Sequence, residues 1–224
     1  MTTAQPAYRT LSIFAEDPVL VGEPQLEWVP ARRRLGISAF GTNAFRAGRA
    51  GEIVIEEHRE TPGQEELYVV VRGSAEFTVG DEIFEAGAGM MVFVSEPGVT
   101  RRALALEDDT AVLAVGGWTG RAYHSLPWEP IYLAQEAMRA GDWAAAAETL
   151  EREAGEHLDT GIVQFRLACC YARLGRHDVA LAQVRRAIEI NPDFRGRVDE
   201  EEHLAPLREL PGWPDALGGA TPPQ

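Results

Sequence analysis

The sequence predicts an α+β protein in two parts, an antiparallel β-barrel or sandwich followed by helical hairpins. Three observations carry that prediction. Short β-branched runs separated by turn dipeptides fill the first half, the apolar period becomes helical after residue 118, and the helical half repeats at a spacing of 34 residues. At 224 residues, 45% of them hydrophobic, the chain is long enough to bury a core in each part. The expected division is a barrel over 1–118, a linker over 119–130, a helical domain over 131–210 and a tail over 211–224.

Strands are expected at 52–58, 67–71, 75–79, 90–94 and 111–115, with turns at Arg72-Gly73, Gly80-Asp81 and Pro97-Gly98. Gly116 to Pro130, rich in Gly, Pro and Trp, reads as the connector. Helices follow at 131–140, 143–154, 162–174 and 178–190, broken at Gly141-Asp142 and Gly175-Arg176-His177 and stopped by Pro192. Aligning Gly141 with Gly175 superposes Trp143 on His177, Ala146 on Ala180 and Leu150 on Val184. With Leu167, Ala168, Tyr171, Ala187 and Pro192 in the second unit, this pattern resembles the tetratricopeptide repeat. Small residues at Ala168, Ala180 and Ala187 let antiparallel helices approach closely. Asp199–Glu202 and Leu204–Leu210 read as a capping helix, and 218–224 as a loose tail.

Composition removes several functions. All 21 basic residues are Arg, so Schiff-base chemistry and the phosphate-loop Lys are absent. A formal charge of −14 argues against nucleic acid or anionic lipid as a partner. No run approaches the roughly 18 apolar residues of a membrane span, and no basic-then-apolar leader is visible. The two cysteines, Cys169 and Cys170, are adjacent and form no disulfide framework. A cytoplasmic and, from its Arg, Ala and Gly content, bacterial protein is expected.

The chemistry-bearing residues lie in the β-rich half: His58-x-Glu60, then Glu66 with six residues separating it from Gly73, and later Pro97-Gly98 followed by Arg101. Residues two apart on a strand share a face, so His58 and Glu60 point the same way. Over about residues 35–117 this arrangement resembles the two motifs of the cupin family. That resemblance implies a small barrel in which His-x-His, a Glu and a later His converge on a divalent metal. The sequence departs from the pattern in three places. Glu60 stands at the second His. The Glu spacing is lengthened, leaving Glu65 and Glu66 in competition, with Glu66 preferred for its distance to Gly73. The last His is Arg101 counted from Gly98, or Thr100 counted from Gly89.

His58, Glu60 and Glu66 remain as a facial set suited to Fe, Mn, Zn or Ni. Arg101 either pairs with Glu66 or Glu60 in place of a metal's charge or clamps a carboxylate or phosphate on a ligand. Tyr68, two residues after Glu66, lines the same cavity or packs in the core. The alternative is that Glu56, Glu57, Glu60, Glu65 and Glu66 form a solvated acidic face. Phe40, Phe45 and Phe93 could form the apolar wall of a pocket, with the barrel core as the default; His124, His157 and His203 are expected at the surface, and His177 in the repeat's aromatic turn slot. No catalytic residue is assigned. Three functions follow: a module that binds or senses a small, anionic molecule through a degenerate metal site, with a helical protein-interaction unit; a metal-dependent dioxygenase, isomerase or lyase; and a tetratricopeptide adaptor dimerised by its barrel. A homodimer is expected in each.

Overall fold

Runs of β-branched and small residues between tight turns form the strands β1 (Val19–Val21), β2 (Leu26–Val29), β3 (Gly41–Ala47), β4 (Ile53–His58), β5 (Gln64–Arg72), β6 (Ser74–Val79), β7 (Glu82–Gly87), β8 (Met91–Val94), β9 (Arg101–Ala105) and β10 (Thr110–Trp118). The structure is a computed structural model and describes residues 7–22 and 25–217. The chain divides into two units, residues 1–125 and 126–224.

In the first unit all pairings are antiparallel, in a six-stranded sheet ordered β1-β2-β3-β10-β5-β8 and a four-stranded sheet ordered β4-β9-β6-β7. Their inner faces share one core, with Val70, Val112 and Ala114 from the first sheet and Val54, Phe77, Ala103 and Ala105 from the second. The Tyr68 and Phe77 rings meet across it at 5.7 Å. Alternation sets the faces: on β8, Val92 and Val94 turn inward, so Phe93 turns outward and is 58% exposed. Phe93, and Phe40 before β3, therefore lie outside the core, whereas Phe45 packs against it. Strands β1 and β2, three and four residues long, are too short for their alternation to register in the sequence. The Arg-rich 32–34 stretch lies in a short helix, α1 (Ala31–Leu35).

The second unit stacks α2 (Trp128–Arg139), α3 (Trp143–Ala154), α4 (Gly161–Arg173) and α5 (His177–Ile190). Helix α2 starts three residues before the expected position because Pro127 and Pro130 suit a first turn, where the missing N–H has no partner to lose. Gly141, at φ +75°, ends the pair's first helix, and the Asp142 side chain accepts from the Ala145 N–H at 3.0 Å to start the next. The superposed positions Ala146, Ala180, Leu150 and Val184 are all fully buried. Instead of one capping helix there are α6 (Phe194–Glu200), a 3-10 turn over Glu202–Leu207 and α7 (Trp213–Ala216). Pro206 and Pro211 withhold the N–H groups a continuous helix needs. Trp213 and Ala216 are buried in the helical core; the 218–224 tail lies outside the described residues.

His157, expected at the surface, is 6% exposed. Cys169 and Cys170 are buried, and burial pushes the Cys170 thiol up to about 12 and Cys169 higher still, which keeps both as unreactive thiols. Among the described residues no helix is long and apolar enough to cross a membrane.

Candidate functional site

The end of β4, the start of β5 and the start of β9 meet at one end of the first unit's core. Strict alternation from Ile55, which faces inward, would send Glu57 in and His58 out. The β4–β9 register shifts between the pairs Ile55↔Ala103 and His58↔Arg101, so β4 spends three residues where β9 spends two. That bulge turns His58 inward beside Arg101. On β5 the alternation is regular: Gln64, Glu66, Tyr68 and Val70 face in, and Glu65 is exposed. Glu60 follows β4, its N–H held by the Pro97 carbonyl at 2.9 Å. The same turn anchors Arg101, whose Nη2 donates to the carbonyls of Glu96 at 3.1 Å and Pro97 at 3.4 Å.

The five sequence-derived side chains therefore converge. His58 Nε2 lies 3.4 Å from Glu66 Oε2 and 3.6 Å from Glu60 Oε1, and Arg101 Nη1 lies 3.8 Å from Glu66 Oε2. The Tyr68 hydroxyl donates to Glu66 and sits 3.2 Å from His58 Nε2. Glu66 rather than Glu65 takes the inward place, and Arg101 rather than Thr100, whose hydroxyl instead accepts from Arg59 Nε at 2.7 Å. Tyr68 and Arg101 are each 1% exposed.

The hydrogen bonds assign the protons. His58 Nδ1 faces the Glu56 carbonyl at 2.8 Å, which can only accept, so Nδ1 donates. Tyr68 has one proton and gives it to Glu66, so the Nε2 contact with the Tyr68 oxygen needs a second imidazole proton. The network thus favours an imidazolium. The pKa of His58 follows: burial opposes the charge most strongly, but the Glu66 hydrogen bond and charge, the Glu56 carbonyl and the Glu60 charge together raise it above 6.5. Glu60 is also raised, first by burial and then by repulsion from Glu66, against the pull of His58 and Arg101. Burial and the Glu66 carboxylate hold Tyr68 well above the usual phenol range.

A stability prediction follows. Groups with raised pKa values bind more protons in the folded than in the unfolded protein, so stability falls as pH rises through the interval. His58's contribution is complete below its ordinary value of 6.5 and is lost as pH passes its raised value; Glu60's excess proton is likewise lost as pH rises from its ordinary 4.5 through its raised value. The melting temperature is expected to decline as pH rises above 4.5 and through the raised value of His58 above 6.5, and His58→Ala/Glu60→Gln to flatten that decline. An identical slope in the variant would discount both groups.

One ligand atom from each of His58, Glu60 and Glu66 lies within 4.8 Å of the others. In spacing and chemistry these donors fit a divalent cation of the Fe(II), Mn(II) or Zn(II) kind. Arg101 is the neighbour that does not fit, a permanent positive charge beside the Glu66 donor.

The β-fold with its inward His/Glu/Glu cluster, followed by stacked helical hairpins, defines the class: a two-unit protein with a polar site in one unit and a repeat in the other. Residues 133–193 match the tetratricopeptide repeat family. The N-terminal region is similar to solved cupin structures. A cupin protein from Bacteroides fragilis is 19% identical with a TM-score of 0.41, over 55% of this chain and 93% of its own. A predicted oxalate decarboxylase from Thermotoga maritima is 16% identical with a TM-score of 0.40, over 48% and 97%. A sugar phosphate isomerase from a cupin superfamily, from Silicibacter pomeroyi, is 17% identical with a TM-score of 0.37, over 46% and 67%. No curated protein matches the chain.

Proposed function

We propose that the N-terminal unit binds or senses a small polar molecule, anionic by preference, at the His58/Glu60/Glu66/Tyr68/Arg101 cluster, and that the helical unit engages a protein partner. The observation that carries this reading is the convergence of two carboxylates, a guanidinium, an imidazole and a phenol at the end of an otherwise apolar core. Such a cluster gives folding little, because each charge must be desolvated before it is paired. Protonated His58 and Arg101 balance Glu60 and Glu66, so an incoming carboxylate or phosphate is not repelled. His58, the most open of the four charged groups at 29% exposure, is the one positioned to meet it. Exposed Met91 and Phe93 on the edge strand β8 and Ile83 on the edge strand β7 support the homodimer included in this reading.

A second reading, a metal-dependent dioxygenase, isomerase or lyase, is favoured by the three converging donors. His58, Glu60 and Glu66 would hold the ion, which when bound supplies Lewis-acid polarisation. In that case Tyr68 would orient Glu66, and Arg101 would offset the carboxylates' charge.

A thermal-shift panel of small carboxylates and phosphate esters separates the readings when run on the wild type and on His58→Ala/Glu66→Ala, with plasma mass spectrometry of chelator-free protein alongside. The binding reading expects an anion that raises the wild-type melting point by several degrees, with no rise in the variant. Near-stoichiometric Fe, Mn, Zn or Ni, lost in the variant, would promote the enzyme. A panel without any wild-type-specific shift removes the binding reading.

A further inference from the structure

Arg101 reaches the cluster in a way that a ligand clamp does not. A clamp offers its donors to solvent so that a ligand can take them. Here Nε and Nη1 carry no accessible surface and no hydrogen-bond partner, while Nη2 is tied to two main-chain carbonyls. The register places residue 101 between His58 on β4 and Val79 on β6, which locks the stem in the sheet. What the guanidinium delivers is charge, with Nη1 3.8 Å from the Glu66 oxygen that also faces His58 and Tyr68.

Resting on the reading of the cluster as a binding site, we propose that Arg101 is the site's resident cation, and that it excludes divalent metal from the His58/Glu60/Glu66 donors. An Arg side chain does not deprotonate, so it cannot withdraw its charge as a metal arrives. The carboxylate charge that would attract an ion is already compensated by a fixed neighbour. A divalent ion on the same oxygens would lie a few ångströms from that charge, behind protein walls that screen it poorly. Arg101 therefore sets what the site accepts: it acts on small anions through its field, without touching them, and it keeps metals out.

The test is calorimetric titration of Mn(II) and Zn(II) into chelator-treated full-length protein. Wild type is compared with Arg101→Gln, Arg101→His and Arg101→Lys, each with and without His58→Ala, after circular dichroism has confirmed folding. The Gln and His variants are expected to take about one equivalent at least ~100-fold more tightly than wild type, and to lose it with His58→Ala. The Lys variant, which keeps the charge, is expected to stay metal-poor. Wild type binding one equivalent as tightly as Arg101→Gln overturns the proposal. So do folded Gln and His variants that bind no better than wild type, and so does a Lys variant that behaves like Gln. If the variants do not fold, the wild type decides alone: an equivalent lost in His58→Ala overturns the proposal, and its absence upholds it. The ligand reading fails separately: metal selectivity that follows Arg101, with no small anion shifting the wild type, leaves this inference standing and removes that one.

Discussion

Arg101→Ala is expected to destabilise the first unit by about 3 kcal/mol, at the lower end of the range for breaking a buried ion pair. The loss comes from the carboxylates left behind. Glu66 and Glu60 have side chains only 12% and 11% exposed, and without the guanidinium His58 is their one remaining counter-charge among the described residues. The figure stays at the low end because Nε and Nη1 make no hydrogen bonds, so removing the side chain also releases two poorly satisfied donors. Urea denaturation of wild type and variant measures it. Glu66→Gln in the Arg101→Ala background is expected to recover at least ~1 kcal/mol, because the uncompensated charge goes with it. An unchanged midpoint in the single variant would remove the pairing, and with it Arg101's role as internal cation.

Gly73→Ala is expected to cost about as much, ~3 kcal/mol, for a wholly different reason. Gly73 joins β5 to β6 at φ +68°, a conformation that disfavours any Cβ, and a Cβ there would also strike the Thr110 hydroxyl and come within 3.0 Å of the Thr110 main chain. Thr110 cannot retreat. It is fully buried, and its one hydroxyl proton is shared between the carbonyls of Glu107 at 2.7 Å and Ser74 at 3.1 Å. Gly89→Ala provides the internal standard, since φ is +90° there but nothing lies within 4 Å of the new Cβ. That variant is expected to lose only about 1 kcal/mol of backbone strain. Equal losses at the two glycines, read by thermal melts, would show that the approach of Thr110 contributes nothing. Removing the Thr110 hydroxyl from Gly73→Ala should restore only part of the stability, because the clash with the Thr110 main chain and the left-handed strain at residue 73 persist.

These two residues differ in how readable they were. Gly73 is readable as part of the Arg72-Gly73 turn between two strand-forming runs; its left-handed backbone is what the structure adds. Glu66 and Tyr68 were also readable as a pair on one face, because β5 alternates without interruption from Gln64 to Val70. His58 was not. Its separation of two from Glu60 placed the pair on one face, but which face depended on the β4–β9 bulge, which appears only when the partner strand is in register. Phe40 and Phe93 miss the core for a similar reason, and line a cavity beside Glu66 instead. Aromatic residues in β-rich segments are expected inside, yet the inward places on β8 belong to Val92 and Val94. The capping helix divides at prolines that are visible in the sequence, but the packing that follows is not: Trp213 and Ala216, ahead of the 218–224 stretch read as loose, are buried.

The sequence by itself determined the order of the two architectures and the helical repeat. Period-2 and period-3.6 patterns and their turn residues are local properties, and they act before any distant contact forms. It also supplied the candidates for the site from motif and spacing, with Glu65 against Glu66 and Thr100 against Arg101 left for the structure to choose between. Only the tertiary structure decided where the Arg101 guanidinium sits. Whether a guanidinium faces solvent or two carboxylates depends on strands 35 residues apart, those of Glu66 and Arg101, meeting at one end of a core. Burial, the quantity that separates a clamp from a counter-charge, comes into being only when they do.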